Sequence, residues 1–234
     1  MVKGQSLDPK NVALTYPDTN LSFKQAFPFP GVVPVFGARG QGKTAMAMWV
    51  MERYYQSSGG KIGGAVYRPP NAMRKLLPEW VQTPRNLNSL PKGCVIVIDE
   101  AQQVAHARRS SSSENLELAT LVALARQRRQ LIFLVTHHSR KLDMLDIMEA
   151  SRVVWKKPTA GHLMYERKET KPFAQRAFDK YREKKGLPQK WAYVMDFEEL
   201  RFGFIACKMP TFWCDAISTG MADMANSPGD QRLL

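Results

Sequence analysis

Short apolar runs of strand length alternate along this chain with longer segments of mixed helical period. The runs are Val32 to Phe36, Ile62 to Tyr67, Cys94 to Ile98, Leu131 to Thr136 and Arg152 to Trp155. The Cys94–Ile98 run is apolar without alternation, the mark of a strand covered on both faces inside a parallel sheet. Helical segments are predicted between the runs, at Ala45–Tyr55, Ala72–Leu77, Glu114–Arg126 and Leu142–Ala150. Strand and helix in alternation spell βαβ units, so the expected fold class is α/β, a parallel sheet flanked by helices. Beyond Trp155 the pattern changes. There Leu163–Arg167 reads as a strand, Phe173–Lys185 as a basic helix, and Trp191–Phe197 and Phe202–Cys207 as further strands. The expected organisation is an arm over residues 1–30, a core over 31–157 and a small α+β C-terminal extension over 158–234.

The first run leads into Gly37-Ala38-Arg39-Gly40-Gln41-Gly42-Lys43-Thr44, and a helix follows. This is G-x-x-x-x-G-K-T in the strand, loop and helix setting that gives the motif its meaning. Glycines let the loop curl so that successive backbone N–H groups converge on phosphate oxygens, and the helix adds its positive end at the same spot. All eight residues are therefore predicted to hold a nucleotide. In that role Lys43 reaches the β- and γ-phosphates and the Thr44 hydroxyl holds Mg²⁺.

The second chemical feature closes the third run. Asp99 and Glu100 lie at a strand's C-terminal end, on the edge of an open α/β sheet where ligands bind. The first carboxylate there suits a magnesium role, and the second can orient and deprotonate a water. Thr136 closes the next run and points a polar group at the same place if that strand lies between the other two. His137 and His138 follow it, but with His106 and His162 the only other histidines and no cysteine at ligand spacing, a metal site there is not expected. Arg126, Arg128 and Arg129 precede this strand. An arginine that neutralises charge on a transferring phosphoryl group is a recurring catalytic part. Arg126 is the candidate, because it closes a helix and is expected at the ligand edge; Arg128 and Arg129 fit a solvated loop or a nucleic-acid contact equally well.

Charge adds a partner to this picture. Thirty-four Lys and Arg against 21 Asp and Glu leave a formal +13, a surplus that points to a polyanion such as nucleic acid or an anionic membrane surface. No window approaches 18 uninterrupted apolar residues, and the first residues lack the apolar stretch of a signal peptide, so no intrinsic membrane span is expected. The three cysteines, Cys94, Cys207 and Cys214, read as reduced core residues.

Together, Gly37–Thr44, the VIVIDEAQ stretch from Val95 to Gln102, a helix ending in Arg126 and an apolar strand ending in Thr136 resemble the P-loop ATPases of the FtsK–HerA superfamily. The likeness is greatest to the genome-packaging ATPases of tailless, membrane-containing double-stranded DNA viruses, and it covers roughly residues 31–157. It implies a P-loop NTPase fold of the RecA/ASCE kind with strand order 5-1-4-3-2, and ATP and Mg²⁺ as cofactors. By the same likeness Asp99 and Thr44 hold the metal, and Glu100, Thr136 and Arg126 are catalytic. It further implies a ring homo-oligomer, a hexamer, moving double-stranded DNA in the host cytoplasm or on the virion, with a portal or membrane vertex protein as a further partner. One departure stands out: such proteins place Gln after the sensor Thr, where this chain has His137. Zot-like phage assembly ATPases share the motif order but typically carry a membrane span. A P-loop kinase for a small metabolite and a non-catalytic nucleotide-binding adaptor are the remaining readings; Asp-Glu at a strand end argues for attack by water, against the first, and the intact Lys43, Asp99 and Glu100 argue against the second.

Overall fold

A computed structural model describes residues 16–101, 113–142, 147 and 149–218. The expected Leu142–Ala150 helix and the basic patch around Arg108 fall largely outside these residues, and residues 219–234 wholly so. Eight strands form one sheet: β1 (Gly31–Phe36), β2 (Gly63–Val66), β3 (Val81–Gln82), β4 (Cys94–Ile98), β5 (Leu131–Val135), β6 (Arg152–Trp155), β7 (Trp191–Asp196) and β8 (Arg201–Ala206). Their order is β3-β2-β4-β5-β1-β6-β7-β8. Strands β3 to β6 in that order are all parallel. The five expected core strands stand as β6-β1-β5-β4-β2, which is the implied 5-1-4-3-2. β7 and β8 then extend the same sheet antiparallel to β6.

The central strands are apolar throughout because helices cover both faces. β4 and β5 are buried at all five positions each. One face carries α1 (Phe23–Ala26) and α2 (Lys43–Ser57), with Met46, Met48, Trp49, Val50 and Met51 all buried. This helix is covered on more than one side, since Phe23 and Phe27 lie edge-on to Trp49 at 5.6 and 6.4 Å. The other face packs on α4 (Ser113–Ala123), through Leu118, Leu121 and Val122, and on α6 (Lys171–Glu183), through Ala174, Ala177 and Tyr181. Two further short α-helices are α3 (Asn71–Arg74) and α5 (Ala160–Tyr165), and single 3₁₀ turns lie at Leu87–Ser89, Ser139–Lys141 and Pro188–Lys190.

Several sequence expectations need correction. Leu163–Arg167 is not a strand: the segment lies largely in α5. Thr159 and His162 set that helix by capping each other, with the Thr159 N–H donating to His162 Nδ1 at 3.3 Å. The expected helix to Arg126 ends at Ala123, and residues 124–129 form a tight turn. Of the three free cysteines only Cys94 is buried; Cys207 is half-buried and Cys214 exposed.

Candidate functional site

The loop between β1 and α2 sits at the C-terminal edge of the sheet, flanked by the ends of β5, β6 and β4. Its shape depends on one close approach. The Gly37 backbone lies against β6's exit, so that a Cβ on it would come within 2.1 Å of the Lys156 carbonyl oxygen, and its φ of +135° is one that side chains disfavour. The Ala38 N–H donates to the Lys157 carbonyl at 3.2 Å. Lys156 itself is fully buried and its Nζ donates to the Gln189 carbonyl at 2.7 Å, tying the loop's floor to the segment that enters β7.

Lys43 opens α2 and curls back over the loop. Its ammonium donates to the carbonyls of Gly37 and Ala38, both at 2.9 Å, and to His137 Nδ1 at 3.1 Å. Burial pushes its pKa down to about 8 against the pull of Asp99 and Glu100. Thr44, next on the helix, donates its hydroxyl to Asp99 Oδ2 at 2.9 Å. Burial pushes the Asp99 carboxyl up to about 6, aided by the charge of Glu100 and opposed by the Thr44 hydrogen bond. Both groups are thus shifted against their charged forms. A triphosphate beside Lys43 and a divalent cation between Thr44 and Asp99 would supply the missing counter-charges, so the donor set fits Mg²⁺.

Glu100 holds φ = +47°, a sparsely populated value for a residue with a side chain, and its N–H donates to Asp99 Oδ1 at 2.9 Å. The turn aims its carboxylate at His137, whose Nε2 stands 3.2 Å from Oε1. Since Nδ1 accepts from Lys43, Nε2 carries the ring proton and donates to Glu100. His137 is itself held from behind by His162, which donates from Nε2 to the His137 carbonyl at 3.0 Å while its Nδ1 lies 2.8 Å from the Thr159 hydroxyl. Burial lowers the His162 pKa, which suits the neutral ring this pattern requires. Thr136 is buried just past the end of β5, which lies between β1 and β4 as anticipated, with its N–H on the Val35 carbonyl at 3.0 Å.

Residues 33–156, just over half of the chain, match the family described as ATPase family associated with various cellular activities (AAA). The chain belongs to this AAA ATPase family. Among solved structures it is similar to the genome packaging NTPase B204 from Sulfolobus turreted icosahedral virus 2 in complex with sulfate. The TM-score there is 0.57 at 13% identity, over 78% of this chain and 98% of that one. The DNA-packaging ATPase B204 from Sulfolobus turreted icosahedral virus gives 0.56 at 14% identity, over 77% and 98%. At such identities the likeness is one of fold. The N-terminal domain of zonular occludens toxin from Neisseria meningitidis matches at 22% identity over 54% of this chain and 76% of that one, with a TM-score of 0.38. Among curated proteins nothing matches the sequence.

In this AAA ATPase the site gathers Lys43, Thr44, Asp99, Glu100 and His137 around a cavity of about 400 Å³. Arg126 is not there. α4 leads down to the start of β5, so Arg126 stands at the opposite edge of the sheet, exposed, with its guanidinium 2.6 Å from Glu198 in the β7–β8 turn. The expectation that it emerges at the ligand edge is therefore corrected. Nearby, Arg128 is engaged by the Leu90 carbonyl at 2.7 Å. Sequence reasoning also missed Gln189, Met209, Trp213 and Ser218, which line the cavity from the C-terminal third. No motif or periodicity pointed to them, because tertiary packing alone brings them in.

Proposed function

We propose that this ATPase couples hydrolysis to the movement of double-stranded DNA, as in the packaging of a viral genome. In this reading Lys43 and the loop N–H groups from Gly37 to Thr44 hold the triphosphate, and Thr44 with Asp99 holds Mg²⁺, which when bound neutralises phosphate charge. Glu100 orients an attacking water and takes its proton, and Thr136 lies beside the γ-phosphate. His137 positions Glu100 through its Nε2–H. The observation that carries the reading is the match to the packaging NTPases over 97 to 98% of their own length. The +13 surplus supports it, since a basic surface neutralising phosphates binds DNA without regard to sequence. The further expectations are a ring of subunits, activity in the host cytoplasm or on the virion, and a portal or membrane vertex protein as docking partner.

The test is ATP hydrolysis by the full chain with and without double-stranded DNA, over a series of salt concentrations. Hydrolysis is expected to rise with DNA, and DNA affinity to fall with a log–log slope near −0.9 per phosphate contacted. Glu100→Gln should keep ATP binding while losing on the order of 10²–10⁴ in rate. Absence of DNA binding at low salt, with hydrolysis intact, would overturn the translocase reading.

A further inference from the structure

The far end of the nucleotide cavity has a chemistry of its own. After β8 the chain returns to the ligand edge, where the Cys207 N–H donates to the Lys190 carbonyl at 2.8 Å, and residues 207–218 then cross the outer side of α2. This strap is firmly held. Glu52 of α2 is a buried carboxylate, and both the N–H and the hydroxyl of Thr211 donate to it. Phe212 lies edge-on to Trp80 at 6.1 Å, and Ile217 is fully buried. The next side chain after Phe212 faces the cavity. Trp213 lines it with its Nε1–H donated to the Ser218 hydroxyl at 3.0 Å, which fixes the plane of the ring, and the exposed Met209 lines it nearby. Gln189 forms the rim beside them, with a Cβ on Gly42 falling 3.8 Å from its carbonyl.

A half-buried indole and an exposed thioether lining the cavity beside a loop of converging N–H groups make a good platform for a flat heteroaromatic ring. The geometry points to this strap as the nucleobase subsite, with Trp213 stacking on a purine, Met209 against its edge and the Gln189 amide at its polar rim. The inference rests on the ATP-binding reading of the loop and adds base recognition to it. A purine is favoured over a pyrimidine because two fused rings overlap the two rings of the indole more fully, and stacking on an aromatic side chain is a substantial part of base binding. The strap's anchors lie on Glu52 and Trp80, away from the phosphate loop, so Trp213 can be altered with the loop left intact.

The experiment is calorimetric titration of the full chain with Mg·ATP, Mg·CTP and Mg·tripolyphosphate, for the wild type, Trp213→Ala and Trp213→Phe. The wild type is expected to bind ATP about tenfold or more tightly than tripolyphosphate, with CTP in between. Trp213→Ala should collapse the ATP advantage to within about threefold and leave tripolyphosphate unchanged, and Trp213→Phe should keep most of it. Equal loss of ATP and tripolyphosphate in Trp213→Ala, or no loss of either, would overturn the base subsite. Wild-type binding of ATP and tripolyphosphate with the same affinity would overturn it too, while leaving the phosphate loop standing. Binding of neither would sink the nucleotide reading and this one with it.

Discussion

Lys43 Nζ stands 3.1 Å from His137 Nδ1 and donates to it. The other ring nitrogen lies 3.2 Å from Glu100, so one neutral imidazole bridges the phosphate-binding cation and the carboxylate aimed at water. A glutamine can do both jobs, accepting at its carbonyl and donating from its amide; alanine can do neither. His137→Ala is expected to lower turnover about 10- to 100-fold, the worth of a hydrogen bond to a charged group, and His137→Gln to stay within about threefold of the wild type. Steady-state kinetics with separate ATP-binding measurements decides this. Loss of ATP affinity in place of turnover would mean that His137 serves Lys43 alone.

Asp99 yields a prediction whose sign runs against intuition. Its carboxyl is raised from 3.8 to about 6 by burial, so the fold favours the protonated form. That contribution to stability is complete below about pH 4 and is lost as the pH rises through 6. At pH 7.5 the folded chain therefore holds an ionised carboxylate that destabilises it until a cation arrives. Asp99→Asn without Mg²⁺ should melt at or above the wild-type temperature at pH 7.5. Mg²⁺ should raise the wild-type melting temperature at pH 7.5, do little at pH 5, and leave Asp99→Asn unmoved. A lower melting temperature for Asp99→Asn in metal-free buffer would count against this account of the site.

Gly37 is the loop position with no room. A methyl group there meets the Lys156 carbonyl at 2.1 Å, well inside contact distance, on a strand end buried beneath the loop. Gly40 has nothing within 4 Å, so alanine there faces only its positive φ of +72°. Gly37→Ala is expected to weaken ATP binding more than tenfold, and Gly40→Ala to cost about 1 kcal/mol of stability with the loop preserved. Thermal melts and ATP titrations of the two variants side by side would expose an error if Gly37→Ala bound like the wild type.

How much of this was legible beforehand follows from where the information lies. Lys43, Thr44, Asp99 and Glu100 were readable because strand, loop and helix are contiguous in the chain, and each strand end names its edge of the sheet. The core strand order followed from the resemblance that those motifs carry. Arg126 was misplaced because its helix runs antiparallel to the strands, which takes its C-terminal end to the edge opposite the ligand. Leu163–Arg167 looked like a strand because side-chain pattern cannot show that Thr159 and His162 cap each other. Trp213 was invisible for a stronger reason: its place in the cavity depends on a buried carboxylate on α2, 159 residues from the Thr211 that captures it.

The far-edge position of Arg126 sharpens the question of what it does. Its pair with Glu198 is exposed on both sides, and such pairs contribute about 0–1 kcal/mol, so a purely structural role would leave little trace on removal. It cannot reach its own chain's Lys43 from there. If subunits stack edge to edge in a ring, an arginine on this edge is free to enter a neighbour's site, where a second positive charge typically contributes 10³–10⁵ in rate. Arg126→Ala is therefore expected to melt within about 0.5 kcal/mol of the wild type and to bind ATP normally, yet to hydrolyse it poorly. Wild-type specific activity should rise with protein concentration as subunits associate. Mixing Arg126→Ala with Lys43→Ala subunits is the decisive step: each lacks what the other retains, and mixed assemblies should recover part of the lost activity. Two variants that assemble together without recovery would place Arg126 outside the hydrolysis reaction and leave it as surface charge available to DNA.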